Sequence, residues 1–320
     1  MKTIFQSARS DRFGIRQSSN RFSRGLRTFA LPVAFLLTIL WEGMLFAQDL
    51  HLRVWPGNAP NETVCEEKIK ATRDVTCPMI DVFLPEKEKA CGKCLMIFPG
   101  GGYAFLSVYP GAFYHVAEFF RERGFVCCVL QYRVPARNWN GFERHQAAWQ
   151  DAQRAIRLVR SKAGEWGFDP EKIGAMGGSA GGHLTVVCAV NSQHRAYEPI
   201  DEIDQIPCHL NFAAPLYPAY LVPEERSTCG SGSNSMELND NLFFDAKTPP
   251  FCIFHGDSDT TCTPTGSLAL YLKLRTMNLP AELHVYAKTR HTFVTDCSSP
   301  HTGSWLQSFY EWVCLLDEKK

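Results

Sequence analysis

From Cys94 onward the hydrophobic positions alternate between two arrangements. Short, nearly uninterrupted apolar runs fall at 94–98, 125–131, 173–176, 212–216, 251–254 and 283–286. Runs of that length with no polar alternation are expected of strands buried on both faces. Between them the period changes. Residues 110–123 place Phe113, Val116, Ala117 and Phe120 at helical spacing, and Gly124 closes the stretch. Residues 145–163 place Ala148, Ala152, Ala155, Ile156, Val159 and Ala163 on one stripe. Arg154, Arg157, Arg160 and Lys162 lie off that stripe and are expected to face water. Further helices are expected after residue 183, near 266–277, and around Trp305, Phe309, Trp312 and Val313. Strand and helix in alternation predict an α/β fold: a mostly parallel central sheet with helices on both faces, in a single domain. Residues 50–98 read as β-rich, with strands at 50–55 and 79–84. Residues 217–248 are rich in Pro, Ser, Gly, Asn and charge. They are expected to form a long irregular insertion over the site rather than a linker.

The first 47 residues break this pattern. Seven basic residues from Lys2 to Arg27 face a single acid, Asp11, and a 12-residue apolar run, 29–40, follows. A basic front, a short apolar middle and the small residue Ala47 describe an export signal, cleaved after Ala47 or kept as an anchor. A spanning helix wants roughly 20 apolar residues, and this run is shorter and is followed closely by Glu42. The expected layout is therefore an export segment at 1–47 and a catalytic domain at 48–320, periplasmic or secreted. A membrane partner follows only if the segment is retained.

Charge and cysteine usage narrow the partners. The 320 residues carry 33 basic and 33 acidic side chains, so neither nucleic acid nor an anionic membrane surface is indicated. Thirteen cysteines is an odd number for an exported chain. Cys127, Cys128, Cys188, Cys252 and Cys314 sit in apolar runs and read as small core residues. Cys91 and Cys94 flank a short turn that is expected to be structural, and a disulfide closing it is left open. The ten histidines are scattered without ligand spacing, so no metal and no cofactor is expected.

The chemistry centres on Ile173 to His183, IGAMGGSAGGH. An apolar strand runs into Gly177-Gly178-Ser179-Ala180-Gly181 and then into a helix. G-x-S-x-G at such a junction makes a turn so tight that the neighbours of its serine must be small. Serine needs a base to take its proton, and the base needs an acid to hold it. Sheets of this type carry their sites beyond the strand C-termini. Asp259 follows one late strand and His291 follows the next. Asp257 is the alternative acid, and His255 and His183 read as structural. The glycine run after the first parallel strand offers backbone N–H groups for a developing oxyanion. Gly101, Gly102 and Ala180 are the candidates, and Tyr103 is either a packing residue or a substrate contact.

Taken together, Pro99-Gly100-Gly101-Gly102-Tyr103, Gln131-Tyr132-Arg133-Val134-Pro135, Asp151 to Ala155, Asp169 to Ile173, Gly177 to Leu184 and His255-Gly256-x-x-Asp259 resemble a known family. They are similar to the bacterial acetyl-esterase and acetylxylan-esterase-like branch of the α/β-hydrolases, over residues 80–315. Pro99 stands where lipase relatives carry histidine. Thr292 replaces a common glycine and Cys262 a common valine, and both changes bear on the acyl pocket. The resemblance implies Ser179 as nucleophile, Asp259 as acid and His291 as base, acting on an acylated carbohydrate or another small ester. A feruloyl ester or a peptide bond would use the same machinery. A glycosidase would need two flanking carboxylates, and none stand in the motif positions. A non-catalytic carbohydrate-binding relative would have lost one of the three residues, and none is missing.

Overall fold

The computed structural model describes residues 48–68, 72–108, 111–136, 145–223, 236–295 and 301–318. They belong to one unit, Phe46–Lys320. The export segment expected at 1–47 and the middle of the 217–248 insertion lie outside the described residues.

Eight strands form one sheet: β1 (Leu50–Arg53), β2 (Met79–Phe83), β3 (Cys94–Phe98), β4 (Val126–Gln131), β5 (Ile173–Gly178), β6 (Phe212–Leu216), β7 (Phe251–Gly256) and β8 (Ala281–Tyr286). Their order is β1-β2-β4-β3-β5-β6-β7-β8. β1 and β2 pair antiparallel, as do β2 and β4, and every pairing from β4 through β8 is parallel. The apolar runs explain this order. β2 through β7 are buried along their whole length, whereas β1 and β8 at the two edges are only half-buried.

The parallel strands are joined by helices α1 (Ala112–Arg121), α2 (Gln146–Ser161), a single turn α3 (Ala163–Trp166), α4 (Ala180–Val190) and α5 (Thr265–Thr276), and α6 (Trp305–Leu315) closes the chain. α1 packs against α6, and α2 against α4. Right-handed crossovers on a sheet that reverses its winding direction place these two pairs on opposite faces. α4 is buried at every residue, so it carries no amphipathic stripe for a sequence reader to find.

The basic side of α2 corrects an expectation. Arg154, Arg157 and Arg160 do not face water; they are 3%, 5% and 6% exposed. The segment 194–209 folds over them and supplies acceptors. Arg154 donates to both carboxylate oxygens of Asp201 at 2.5 and 2.6 Å and pairs with buried Asp204 at 2.9 Å. Arg157 donates to the Ile206 carbonyl at 3.0 Å. Arg160 donates to the carbonyls of Pro170, Pro207 and His209. A buried guanidinium is tolerated only when its donors are used, and here carboxylates and backbone carbonyls, most of them remote in sequence, use them. Of the expected set only Lys162 is not buried, and it is half-buried rather than fully exposed.

Cys91 and Cys94 are both free, so the turn between them is not closed by a disulfide. Cys65 and Cys77 are bonded to each other instead. Cys127, Cys128, Cys188 and Cys252 are buried, as a core role requires, while Cys314 is half-buried.

Candidate active site

β5 ends in a turn that leaves no room for a side chain at positions 177 and 181. Ser179 has φ 57° and ψ −120°, a region that costs a non-glycine residue of order 1–3 kcal/mol. The surroundings leave no freedom to relax it. A Cβ at position 177 would overlap the Gly181 backbone, and one at 181 would overlap the Phe98 carbonyl. The glycines at 177 and 181 are therefore steric necessities of the crossing between β5, α4 and the end of β3. The Ser179 carbonyl accepts from the N–H of His183 at 2.9 Å and of Ala219 at 3.2 Å, which fixes the turn from both sides.

The side chain of Ser179 then points at a histidine delivered from the sheet edge. Its Oγ lies 3.0 Å from Nε2 of His291. Nδ1 of the same ring lies 2.6 Å from Oδ2 of Asp259. A carboxylate only accepts, so Nδ1 carries the hydrogen and Nε2 is left to accept from the serine hydroxyl. Asp259 is held in turn. Its Oδ1 accepts from the N–H of Thr261 at 2.8 Å and of Cys262 at 3.0 Å. His255, buried at the end of β7, places Nε2 at 2.8 Å from the Cys262 carbonyl and 3.4 Å from Oδ2 of Asp259. Burial would raise the Asp259 pKa; the hydrogen bonds from His255 and His291, with the electrostatic pull of His291 and the Cys262 N–H, overcome it and hold it well below the carboxylate range. The alternative acid, Asp257, is exposed and is occupied by the Ser258 hydroxyl at 2.8 Å.

The glycine loop lies directly against this turn. A Cβ on Gly100 would stand 2.8 Å from the Gly178 carbonyl and 3.4 Å from Cβ of Ser179. Gly101 and Gly102 adopt φ 133° and 62°. The Gly101 carbonyl turns away to accept from the N–H groups of Ala104 and Phe105, and the Gly100 carbonyl from Ser107. Ala180 opens α4, so its N–H is one of the donors that a helix start leaves without an intrahelical partner. Gly100, Gly101, Gly102, Ser179 and His291 share one cavity of about 390 Å³. Its remaining wall is mostly apolar, with Phe105, Phe113, Tyr217 and Val294.

Three comparisons bear on this geometry. A family model described as BD-FAE matches residues 80–210. An acetylxylan esterase of Xylanibacter ruminicola is 26% identical over 251 residues, 74% of this chain and 48% of that protein. Among solved structures, Thermogutta terrifontis esterase 2 phosphorylated by paraoxon is 29% identical at a TM-score of 0.56, covering 74% of this chain and 85% of that one. The chain has the α/β-hydrolase fold of these esterases, and its likeness within that fold is to acetylxylan-esterase-like proteins. An acetyl ester-xyloside bifunctional hydrolase from Caldicellulosiruptor lactoaceticus shares the fold of this chain at a TM-score of 0.66 and 23% identity, over 86% of this chain and 98% of that one. The chain spans about half the length of the curated relatives it matches.

Two aromatic residues complete the picture: Tyr103, left open above between packing and substrate contact, and Tyr217. Tyr103 is no cavity contact. It is 1% exposed, and its hydroxyl lies 2.8 Å from Nδ1 of buried His183. Burial, with His145 beside it, holds His183 well below the usual histidine range, so the imidazole is neutral. Tyr103 therefore ties the glycine loop to α4 from beneath. Tyr217, by contrast, was not singled out by the sequence. Its ring meets that of His291 edge-on at 4.7 Å and lines the cavity. The available signal was its position, one residue past the C-terminal end of β6, where such sheets place their functional groups.

Proposed function

We propose that this chain is an exported serine carboxylester hydrolase that removes acetyl groups from polysaccharide or from small acetyl esters. The observation that carries the reading is the hydrogen-bonded series from Ser179 through His291 to Asp259 on the wall of a cavity. The esterases and the acetylxylan esterase among its relatives support the same chemistry.

In this reading Ser179 Oγ attacks the ester carbonyl as Nε2 of His291 takes its proton. Asp259 keeps the ring in the tautomer whose Nε2 is free and stabilises the imidazolium that forms. The negative charge growing on the carbonyl oxygen meets the N–H groups of Gly101, Gly102 and Ala180. Removing one such donor typically costs about 100- to 1000-fold in rate. The imidazolium then protonates the departing sugar oxygen, leaving an acyl group on Ser179. Water, deprotonated by the same nitrogen, releases the acid and restores the serine. The second reading is an aromatic acyl group such as feruloyl, favoured by Phe105 and Phe113 on the cavity wall.

The test uses protein lacking residues 1–47, with p-nitrophenyl acetate, acetylated xylan and methyl ferulate. Ser179→Ala is expected to lower turnover by at least about 10⁴-fold while leaving the thermal midpoint near wild type. Turnover within tenfold of wild type would refute the assignment. Preference for methyl ferulate would select the second reading.

A further inference from the structure

Cys252, Glu282 and His284 meet where β7 pairs with β8, away from the site above. Cys252 is the register partner of Glu282. His284 lies two residues further on, so its side chain leaves the same face of β8. One donor atom from each, a sulfur, a carboxylate oxygen and an imidazole nitrogen, all lie within 4.8 Å of one another. Nε2 of His284 already faces this group, 2.6 Å from Oε1 of Glu282. Its ring is stacked on Phe254, with centroids 4.8 Å and planes 9° apart, which limits its tilt. The sulfur lies at the floor, since Cys252 is 0% exposed. The oxygen and nitrogen lie at the mouth, on side chains 43% and 27% exposed. A solvated Glu–His pair would account for the 2.6 Å contact alone. It would not account for a thiol aimed at the same point from the neighbouring strand.

We propose that Cys252, Glu282 and His284 bind one borderline-soft divalent cation, with Zn²⁺ the best match, in a site that fastens β7 to β8. A thiolate with an imidazole and a carboxylate suits Zn²⁺ and disfavours Mg²⁺ or Ca²⁺, which take oxygen donors. Zinc bonds of about 2.0–2.3 Å in a tetrahedron put donors roughly 3.4–3.7 Å apart, so closure needs about an ångström of side-chain movement. The open side leaves room for water as fourth ligand. Binding releases the thiol proton to solvent. The three residues sit in the first four positions of their strands, while Asp259 and His291 lie beyond the opposite ends. The cation is therefore structural: it holds the two strands that deliver the acid and the base. Sequence spacing hid the set, because two ligands lie on one strand and the third lies thirty residues earlier.

The test uses chelator-treated full-length domain, residues 48–320, with Co²⁺ as spectroscopic probe and Zn²⁺ for stability. One equivalent of Co²⁺ is expected to give a thiolate-to-metal charge-transfer band that Zn²⁺ abolishes and Cys252→Ser lacks. Zn²⁺ at about a hundredfold its Kd is expected to raise the thermal midpoint by roughly 5 °C or more. Glu282→Gln and His284→Gln, on half-buried positions that tolerate change, are expected to weaken binding at least about tenfold. Metal-free p-nitrophenyl acetate turnover in both should stay within about twofold of wild type. A band that persists in Cys252→Ser would overturn the proposal. So would unchanged affinity in the other two variants, or a midpoint indifferent to Zn²⁺.

Discussion

The turn at residues 177–182 and the basic side of α2 are both buried, both tightly constrained, and opposite in how they are encoded. The turn is crowded by its own neighbours. Its constraint is steric and local, and it selects glycine at named positions. The arginines of α2 are satisfied by a segment some 40 to 50 residues downstream. Their constraint is electrostatic and distant, and it leaves the local pattern looking like an ordinary solvated helix face. Crowding leaves a mark in nearby sequence, whereas long-range solvation of a charge does not.

The largest effect is expected for Gly181→Val. Its Cβ would overlap the backbone carbonyl of Phe98, which cannot swing aside. A loss of at least about 4 kcal/mol is expected in urea denaturation, or no folded protein at all. Next is Arg154→Ala. A solvated arginine would change stability by no more than about 0.5 kcal/mol. Here Asp204 would be left buried without its cation, and about 3 kcal/mol is expected by the same denaturation measurement. A near-neutral result would return the α2 face to the solvated class.

Acid acts on the buried His183. His183 is neutral when folded, with its pKa depressed by burial and by His145, but titrates near 6.5 when unfolded. Below that pH the unfolded chain binds the extra proton, so stability rises with pH up to about 6.5 and then levels off. Lowering the pH from 7.5 to 5 should cost up to about 2 kcal/mol through this residue. Thermal melts across that range should show the loss, and His183→Asn should flatten it. The smallest effect belongs to Tyr103→Phe, which removes one buried hydrogen bond to His183. It should cost about 1 kcal/mol with the cavity wall unchanged.

The same contrast separates what could be read in the chain from what could not. The parallel strands were legible because burial on both faces makes continuous apolar runs. Ser179, Asp259 and His291 were legible because each follows such a run, and the structure brings them within hydrogen-bond distance. The insertion of β4 between β2 and β3 was not legible, since strand length and hydrophobicity carry no neighbour order. Nor was the place of Tyr103 beneath the loop, which depends on α4 bringing His183 to its hydroxyl. His255 was read as structural, and its position behind Asp259 could not be read, because the turn at 257–262 that folds the carboxylate back over it has no local period.

The sheet order also bears on how the chain could be divided. β6 and β7 are neighbours, yet Ser179 lies before that boundary while Asp259 and His291 lie after it. The segment matched by the family model, 80–210, likewise holds the serine and neither partner. A polypeptide severed between Leu216 and Phe251 would put Ser179 on one fragment and His291 on the other. The ester cleavage proposed for the intact chain would then report reassembly of the two pieces, which makes this scaffold a natural split reporter.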